Sequence, residues 1–424
     1  MTADEAKIVD AVKIVGGGRA LAHVEGETWM VEGALPGETV RAKILRRRRR
    51  VVEARALEVV QSRHALRHPD PCPDARHCGG CDWPHVIPLG GAALKAEVAA
   101  EAARSFAGLR EELRSANVVT SPEAYRLRSR LHWRPDTKAL GFYGRGTHTV
   151  FPLTRCRIVS PLLAQALGPM ADALARSCPV PVDVEWLEDL NGDQSVAALR
   201  STAGGAEVRR TMLPDENALA ATIGGFHCLD RKGRVRIGWG STHVTMRLPR
   251  PLDVPIGGFF QVNRHLVPWL FRRTAELVGE TPLPTWDLFA GVGFLAAAAL
   301  HAGRRTMVAV EAHRQAAEAA RRNLPGAEVH VGMRAETYLG SAGRLPRQAL
   351  VLLDPPRAGC SARLRRQLLA WRPRVILGLA CDPATWARDS NELCEAGYRL
   401  THLELVDLFP STHHVEILYR LELT

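Results

Sequence analysis

The stretch Thr285-Trp286-Asp287-Leu288-Phe289-Ala290-Gly291-Val292-Gly293-Phe294-Leu295 has the pattern of a strand, a glycine turn and the start of a helix. Gly291 and Gly293 allow a ligand to approach the backbone closely at that turn. The next apolar run, residues 307–310, ends in Glu311, where a carboxylate can accept hydrogen bonds from both hydroxyls of a ribose. The glycine turn and this acid together predict an adenosine-containing ligand at the edge of an α/β sheet.

The same turn distinguishes between two such ligands. The dinucleotide fingerprint contains a third glycine, which allows the helix to pack closely on the strand. Here Gly293 is followed by Phe294-Leu295-Ala296, so the third glycine is absent. The sequence therefore favours S-adenosylmethionine over NAD.

Two further apolar runs within residues 257–424 end in polar loops. Residues 349–353 continue into Asp354-Pro355-Pro356-Arg357-Ala358-Gly359, and residues 375–377 continue into Gly378-Leu379-Ala380-Cys381-Asp382-Pro383. Ligands bind at the carboxyl ends of strands in open α/β sheets, so these loops are expected around one crevice. Asp354, stiffened by two prolines, is placed to bind a planar substrate edge, and Cys381 is a candidate nucleophile. A buried structural thiol is the competing interpretation of Cys381, because free cysteines are among the most buried residues.

Residues 1–62 alternate short β-like runs with glycine turns. Strands at this spacing predict a small β-barrel of the oligonucleotide-binding type. The run Arg46 to Arg50 lies between two of these strands, and consecutive arginines repel one another unless an anion is near. This module is therefore predicted to contact RNA or DNA; the alternative is that the run is a solvated loop.

A group of cysteines opens the segment 63–256. Cys72-x5-Cys78-x2-Cys81 lies among turn-forming prolines, and Cys156 is the next cysteine along the chain. Four thiolates complete a tetrahedral zinc site or hold a [4Fe-4S] cluster, and the spacing alone favours neither. The cysteines are therefore predicted to bind a metal ion or a cluster.

The remainder of this segment predicts a helix followed by a β-rich region. Apolar positions from Ala92 to about Leu113 repeat at helical spacing, which predicts one amphipathic helix. Residues 117–256 have β-rich patterns, and in Arg126-x-Arg128-x-Arg130-x-His132-x-Arg134 the basic residues share one face of a strand. A basic face of this kind is suited to bind the phosphates of a nucleic-acid backbone. The alternative is that these residues form a solvated outer face.

Composition limits the class of protein. The 424 residues are enough for two or three domains, and 46% hydrophobic and 24% charged residues are ordinary for a globular protein. No signal peptide and no apolar run long enough for a bilayer is recognisable, so we expect a cytoplasmic protein with no membrane partner. The 56 Lys and Arg exceed the 45 Asp and Glu, and the net charge of +11 favours nucleic acid as the partner.

In their order and combination these motifs resemble the RNA 5-methyluridine methyltransferases that carry a TRAM domain and an iron-sulfur cluster. The resemblance also includes Phe260-Gln261-Val262-Asn263 and the terminal Phe409-Pro410-Ser411-Thr412-His413-His414-Val415-Glu416, and it covers nearly the whole chain. It implies a class I, Rossmann-like α/β methyltransferase domain at 257–424, a TRAM-like β-barrel at 1–62 and a β-rich iron-sulfur domain at 63–256. The helix around residues 92–115 is implied to pack with the methyltransferase domain.

The resemblance implies roles for individual residues and for the whole protein. Cys381 matches the nucleophile of the family, and Glu416 matches its general base. The pocket for S-adenosylmethionine and uracil is implied to include Gln261, Phe289, Gly291, Gly293, Phe294, Glu311 and Asp354. Cys72, Cys78, Cys81 and Cys156 match the ligands of a [4Fe-4S] cluster. We expect a monomer that acts on ribosomal or transfer RNA, with ribosomal RNA favoured.

The chain departs from the family pattern at three places, and at one of them Ala290 replaces a common Cys. The usual Ser-Cys-Asn-Pro is here Ala380-Cys381-Asp382-Pro383, and Phe294 stands where Asn is frequent. A carboxylate at position 382 opposes ionisation of the neighbouring thiol unless it is paired. The nucleophile and the base themselves are retained.

Other functions remain open from the sequence. A base N-methyltransferase would use Asp354-Pro355-Pro356 and would need no covalent thiol. An RNA-binding protein with a vestigial methyltransferase core would not bind S-adenosylmethionine. A radical methylthiotransferase also joins a TRAM-like barrel to an iron-sulfur site, but its Cys-x3-Cys-x2-Cys spacing is absent from this chain.

Overall fold

The computed structural model of the chain describes residues 6–202, 205, 207–341, 346 and 348–424. Within these residues the strands form sheets of six, seven and eight strands and one two-stranded ribbon. None of the helices in this part of the chain has both the length and the apolar character needed to cross a membrane.

The N-terminal residues form the six-stranded sheet. Its strands are β1 (Ala6–Asp10), β2 (Lys13–Val15), β3 (Arg19–Val24), β4 (Glu27–Glu32), β5 (Thr39–Arg48) and β6 (Val51–Gln61). The spatial order is β1-β5-β6-β4-β3-β2. Trp29 and Val31 of β4 are completely buried, because alternate side chains of a strand point to the same face. The segment forms a β-rich module, as its sequence predicted.

Two helices and a short strand follow. They are α1 (Ala92–Ala102), α2 (Ala107–Ser115) and β7 (Asn117–Val119). The sequence predicted a single helix from Ala92 to about Leu113, and this prediction was wrong because the backbone leaves the helix after Ala102. Ala99 of α1 and Leu113 of α2 nevertheless enter the same apolar cluster, so the apolar spacing continues across the break.

Most of the middle of the chain forms the seven-stranded sheet and two helices. Its elements are β8 (Arg128–Arg134), β9 (Ala139–Tyr143), β10 (Val150–Pro152), α3 (Pro161–Ser177), β11 (Val182–Glu188), β12 (Ser195–Ser201), α4 (Glu216–Leu219), β13 (Gly225–Leu229) and β14 (Val235–Gly240). The strand order is β10-β9-β8-β11-β12-β13-β14. Ser160 caps α3 by accepting a hydrogen bond from the Leu163 N–H. Helix α3 covers one face of the sheet, where Leu163 shares an apolar cluster with Leu131 and Trp133.

The C-terminal part contains the ribbon, the eight-stranded sheet and its helices. The elements are β15 (His243–Met246), β16 (Leu252–Pro255), α5 (Val267–Val278), β17 (Thr285–Asp287), α6 (Phe294–His301), β18 (Met307–Glu311), α7 (Arg314–Asn323), β19 (Glu328–Val331), α8 (Ala335–Ser341), β20 (Leu350–Leu353), α9 (Ala362–Trp371), β21 (Val375–Ala380), α10 (Pro383–Glu395), β22 (Tyr398–Val406) and β23 (Glu416–Leu423). The sheet has the order β19-β18-β17-β20-β21-β23-β22-β7.

This sheet has the Rossmann-like arrangement that the sequence predicted. Strands β17 to β21 pair in parallel, and β23 runs antiparallel between β21 and β22. The chain proceeds outward from β17 through β18 and β19, and on the other side from β20 to β21, so the strand order reverses between β17 and β20. Open α/β sheets bind their ligands at such a switch point.

Three elements that precede the seven-stranded sheet in the chain, α1, α2 and β7, pack on the C-terminal sheet instead. Strand β7 pairs in parallel with β22 at the edge of that sheet. Helices α1 and α2 share an apolar cluster with α8, α9 and α10 on one face of the sheet, and α5, α6 and α7 cover the other face. The domain limits at residues 62 and 256 remain predictions, but α1, α2 and β7 lie with the C-terminal elements.

Candidate active site

A cleft opens at the carboxyl ends of β17, β18, β20 and β21, where the strand order reverses. Its volume is about 940 Å³. Of the predicted catalytic and ligand-binding residues, it is lined by Gln261, Phe289, Gly291, Phe294, Glu311, Asp354, Cys381 and Glu416. Residues far apart in sequence are thus brought to one site.

Glu311 joins the glycine turn to the end of β18. Its Oε2 accepts a hydrogen bond from the Gly291 N–H over 2.9 Å, and its Oε1 accepts one from the His313 N–H over 2.6 Å. Gly291 has a φ of 55°, in the left-handed region that favours glycine. Each carboxylate oxygen has a further lone pair, so Glu311 can still accept hydrogen bonds from a ligand.

Gly293 does not line the cleft, although the sequence placed it among the ligand-binding residues. Its φ is 96°, and a Cβ at this position would lie 2.9 Å from the side chain of Leu324. Gly293 immediately precedes α6. Gly293 therefore allows the tight turn before α6 and the close approach of Leu324 to that turn.

Two carboxyl groups with raised pKa values lie at the switch point, Asp287 fully buried and Asp354 partly buried. Burial, with a smaller effect from Glu311, raises the pKa of Asp354 to about 7, and Gln261 Nε2 donates to Asp354 Oδ2 over 3.4 Å. Burial and the nearby Asp354 raise the pKa of Asp287 to about 8. No role for Asp287 was predicted from the sequence. Its Oδ2 accepts a hydrogen bond from the Ala296 N–H over 3.1 Å. It lies beneath the cleft and fixes the start of α6.

Cys381 and Glu416 lie at the ends of two antiparallel strands. Strand β21 ends at Ala380 and β23 begins at Glu416. Ala380 pairs with Ile417 in antiparallel register, so Cys381, the residue after Ala380, lies opposite Glu416, the residue before Ile417. The thiol and the carboxyl group therefore enter the cleft side by side.

The environment of the cleft raises the pKa values of both groups. Burial, with the carboxyl groups of Glu416 and Asp354, raises the pKa of the Cys381 thiol to about 11. Burial and Asp354 also raise the pKa of Glu416 well above its ordinary value. Arg357 lowers the pKa of both groups. Arg357 follows Asp354-Pro355-Pro356 in the loop after β20, and no role for it was predicted from the sequence.

Helix α10 holds the loop that carries Arg357. Thr385 Oγ1 donates to the Arg357 carbonyl over 3.1 Å, and Asp389 Oδ2 accepts from the Cys360 N–H over 2.7 Å. Gly359, with a φ of 72°, lies against this helix, and a Cβ there would be 2.6 Å from Asp389 Oδ2. Helix α10, which follows Cys381 in the chain, therefore also holds the loop that carries Arg357.

A buried lysine holds the loop that leads to Glu416. Lys95 of α1 is 2% exposed and pairs with Asp407. Its Nζ also donates to the carbonyl oxygens of Phe409, over 3.0 Å, and His414, over 2.7 Å. Helix α1, to which the sequence assigned no function, therefore fixes the backbone just before Glu416.

The predicted ligand cysteines surround a second cavity. Cys72, Cys78, Cys81 and Cys156 all line it, and all are free thiols. In the described parts of the chain, no three His, Cys, Asp or Glu side chains are grouped so as to hold a metal ion. Arg126 is close enough to Cys81 and Cys156 to lower their pKa values against the effect of burial.

The cysteine cavity and the cleft share one loop. Asp82 follows Cys81, accepts from the His413 N–H over 3.1 Å and pairs with the His413 imidazole. The Trp83 N–H donates to the Ser411 carbonyl over 2.9 Å, and Ser411 also lines the cysteine cavity. Residues 409–416 therefore contact the cysteine loop on one side and end at Glu416 on the other.

The arginine run of the N-terminal module forms the tip of a hairpin. Arg46 to Arg48 end strand β5, and the turn to β6 is formed by Arg49 and Arg50. All five side chains are exposed, and Arg47 pairs with Glu27. The run is an exposed basic projection, which supports its predicted contact with nucleic acid.

The Rossmann-like sheet and the cleft at its switch point are typical of nucleotide-binding α/β enzymes, a class that includes the methyltransferases. A family model described as tRNA (Uracil-5-)-methyltransferase matches residues 347–422. The chain is 33% identical to the 23S rRNA (uracil(1939)-C(5))-methyltransferase RlmD of Pseudomonas fluorescens strain Pf0-1, over 95% of this chain and 89% of that protein. It is 30% identical to a Streptomyces avermitilis protein described as an uncharacterized RNA methyltransferase, over 98% of this chain and 97% of that protein. The chain belongs to the RNA uracil-C5 methyltransferase family, and it is an enzyme of that family.

A solved structure shares the fold over almost the whole chain. The Pyrococcus abyssi tRNA (uracil-54, C5)-methyltransferase in complex with S-adenosyl-L-homocysteine matches with a TM-score of 0.75. The match covers 97% of this chain and 100% of that one at 20% sequence identity. The two chains therefore share one fold over almost their whole length.

Proposed function

We propose that this protein transfers a methyl group from S-adenosylmethionine to C5 of a uridine in structured RNA through a covalent adduct between Cys381 and C6. The observation that carries the proposal is the placement of Cys381 opposite Glu416 inside the cleft. Ribosomal RNA is the proposed substrate, because the relative from Pseudomonas fluorescens acts, by its name, on 23S rRNA.

Cys381 makes C5 reactive. C5 of uracil is too weak a nucleophile to attack a methyl group directly. Addition of the Cys381 thiolate to C6 forms the C–S bond and moves the electrons of the C5–C6 double bond to C5 and the O4 carbonyl. S-adenosylmethionine, when bound, supplies the electrophilic methyl group. Arg357, which favours the ionised thiol, is the side chain that assists this first step.

Glu416 completes the reaction as a base. After methylation C5 carries both the methyl group and a proton. The Glu416 carboxylate removes that proton, the electron pair restores the C5–C6 double bond, and Cys381 leaves as the thiolate. The carboxyl group must be ionised at this step, and Arg357 favours its ionised form.

Other cleft residues are proposed to orient the two substrates. Asp354 is suited to accept a hydrogen bond from the N3–H edge of uracil, and Gln261 offers an amide donor beside it. Glu311 is suited to accept from the ribose hydroxyls of S-adenosylmethionine, because its oxygens keep free lone pairs. Phe289 and Phe294 provide apolar walls of the same cleft.

The cysteine cavity is proposed to hold a [4Fe-4S] cluster. Cys72, Cys78, Cys81 and Cys156 line one cavity, and four thiolates are the ligand set that such a cluster requires. Iron and sulfide in equal amounts are expected after anaerobic purification. Cys156→Ser should lose iron, and Cys178→Ser, a buried thiol elsewhere in the same sheet domain, should keep it. Stoichiometric zinc without iron would contradict the assignment.

Mapping 5-methyluridine in total RNA tests the proposed function. A strain that lacks the gene should lose 5-methyluridine at a specific uridine, and the wild-type gene should restore it. The Cys381→Ala variant should not restore it, because the adduct cannot form. No loss at any uridine would refute the proposal, and full restoration by Cys381→Ala would favour a methyl transfer that needs no thiol.

A further inference from the structure

One face of strand β8 carries cations that the proposed chemistry does not use. Alternate positions of the strand are occupied by Arg128, Arg130, His132 and Arg134. Leu131 and Trp133, between them, are completely buried on the side that α3 covers. The basic residues therefore lie on the face away from α3, which we call the β8 face.

Cations outnumber carboxylates on the β8 face. The strand register places there the cations Arg128, Arg130, His132, Arg134 and Arg200 and the carboxylates Asp183 and Glu185. Glu185 Oε1 is shared by Arg130, at 3.3 Å, and Arg200, at 2.6 Å. Among the described residues, no carboxylate forms an ion pair with Arg128 or Arg134. The excess positive charge suits a polyanion.

Arg134 is held in place, as a binding residue would be. Its Nη1 donates to the Trp133 carbonyl over 3.1 Å and its Nη2 donates to the Tyr143 hydroxyl over 3.3 Å. The guanidinium lies 5.8 Å from the centre of the Tyr143 ring, and that ring stacks on His132 at 3.7 Å. Such support lowers the entropy lost when arginine binds an anion, and it distinguishes this face from a solvated one with mobile side chains.

The β8 face begins at the cleft. Arg128, at the start of β8, lines the cleft and lies over the ring of Phe259 with its guanidinium 5.8 Å from the ring centre. Alternate residues of a strand are about 6.8 Å apart, so Arg134 lies roughly 20 Å along the strand from Arg128. A nucleic-acid strand that leaves the cleft along β8 therefore meets Arg130 and Arg134 in turn.

We infer that the β8 face binds the RNA strand flanking the target nucleotide, with Arg130 and Arg134 contacting its phosphates. The inference rests on the proposed function, since a nucleotide in the cleft is what brings the flanking strand to β8. The target nucleotide itself must leave its stack, because a base cannot enter a cleft while it stays in a duplex. Contacts to phosphates position the RNA without selecting its sequence.

Salt-dependent RNA binding tests the inference. Arg130→Gln and Arg134→Gln are measured with a 23S rRNA transcript by filter binding at several salt concentrations. Each variant loses one phosphate contact, so Kd should rise several-fold and the slope of log Kd against log salt should fall by about one. Arg134→Lys keeps the charge and should recover most of the affinity. The value of kcat at saturating RNA should be retained, because neither residue lies in the cleft.

Arg176→Gln is the matched control. Arg176 is an exposed arginine of α3, on the opposite side of the same sheet, and its loss should leave Kd and the salt slope unchanged. Unchanged binding by Arg130→Gln and Arg134→Gln overturns the inference, and so does equal weakening by Arg176→Gln. Binding is measured without turnover, so the two failures can be told apart: a protein that methylates no uridine refutes the proposed function, whereas a protein that methylates uridine but binds RNA equally well in both variants refutes this inference alone.

Discussion

Asp382 Oδ1 accepts a hydrogen bond from the Thr385 N–H over 2.9 Å, so the acid beside Cys381 caps helix α10. A carboxylate at this position binds amides that the helix leaves unpaired, and the helix dipole favours its charge. The carboxyl groups that raise the pKa of Cys381 are Glu416 and Asp354. The replacement of the family's usual Asn by Asp382 therefore exchanges one helix cap for another.

Loss of this cap should destabilise the protein. Asp382→Ala leaves the first amides of α10 without a partner, which costs about 0.5–2 kcal/mol and lowers the thermal midpoint by a few degrees. Asp382→Asn should keep the wild-type midpoint, because Asn caps helices about as well as Asp. Thermal unfolding of the three proteins at one pH checks this. Equal midpoints for the Ala and Asn variants would contradict the capping role.

The reactivity of Cys381 should rise with pH beyond the range of an ordinary thiol. Because burial and two carboxyl groups raise its pKa to about 11, the thiolate fraction grows with pH up to that value. The alkylation rate should increase about tenfold per pH unit between about pH 7 and pH 10. Peptide mass spectrometry after short iodoacetamide treatment measures the rate at this residue. A plateau below about pH 9 would contradict the raised pKa.

Arg357 supplies the control for this pH profile. Arg357→Gln removes the cation that lowers the pKa of Cys381, so alkylation at a given pH should become slower. Arg357→Lys keeps the charge and should stay closer to the wild-type rate. Faster alkylation in Arg357→Gln would show that the electrostatic account of the thiol is wrong.

Gly359 should tolerate a side chain less well than an open glycine does. Gly359→Ala meets left-handed backbone strain of about 1–2 kcal/mol and also a contact of 2.6 Å with Asp389 Oδ2. Gly303→Ala has the same kind of strain, with a φ of 91°, but no atom lies within 4 Å of its Cβ. Gly359→Ala should therefore lower both the thermal midpoint and methyl transfer more than Gly303→Ala. Equal effects would contradict the packing of this loop on α10.

Lys95 should contribute far more to stability than a surface lysine. Lys95→Met leaves the carboxyl group of Asp407, which is 1% exposed, buried without its partner, a loss of about 3–5 kcal/mol. Lys13→Met breaks a pair with Glu101 in which the lysine is 48% exposed, a loss of about 0–1 kcal/mol. Thermal unfolding compares the two variants. Equal midpoints would mean that Lys95 does not hold the loop before Glu416.

Residues whose place in the cleft depends on local sequence could be predicted from the chain. The glycine turn, Glu311, Asp354 and Cys381 each follow an apolar strand, and their position at a strand end can be read directly from the chain. Asp382 also carried a local signal, because an acid followed by proline is typical of a helix start.

Residues whose role depends on distant contacts were missed or came from the resemblance alone. Glu416 begins a strand, and its place opposite Cys381 depends on the antiparallel register of β23. Lys95 reaches a partner 312 residues away, and no spacing in α1 distinguishes it from a solvated lysine. The break between α1 and α2 was also hidden, because apolar residues on both helices continue one pattern.

Trapping with 5-fluorouridine RNA tests the central claim most directly. Fluorine at C5 cannot be removed as a proton, so the reaction should stop after methyl transfer with the RNA bound to Cys381 through C6. A denaturing gel should show a stable protein–RNA band with wild-type protein and with Glu416→Gln, which keeps the thiol, but not with Cys381→Ala. Peptide mass spectrometry should place the modified nucleotide on Cys381. Active enzyme that gives no such band, or a band that persists in Cys381→Ala, would contradict the covalent mechanism.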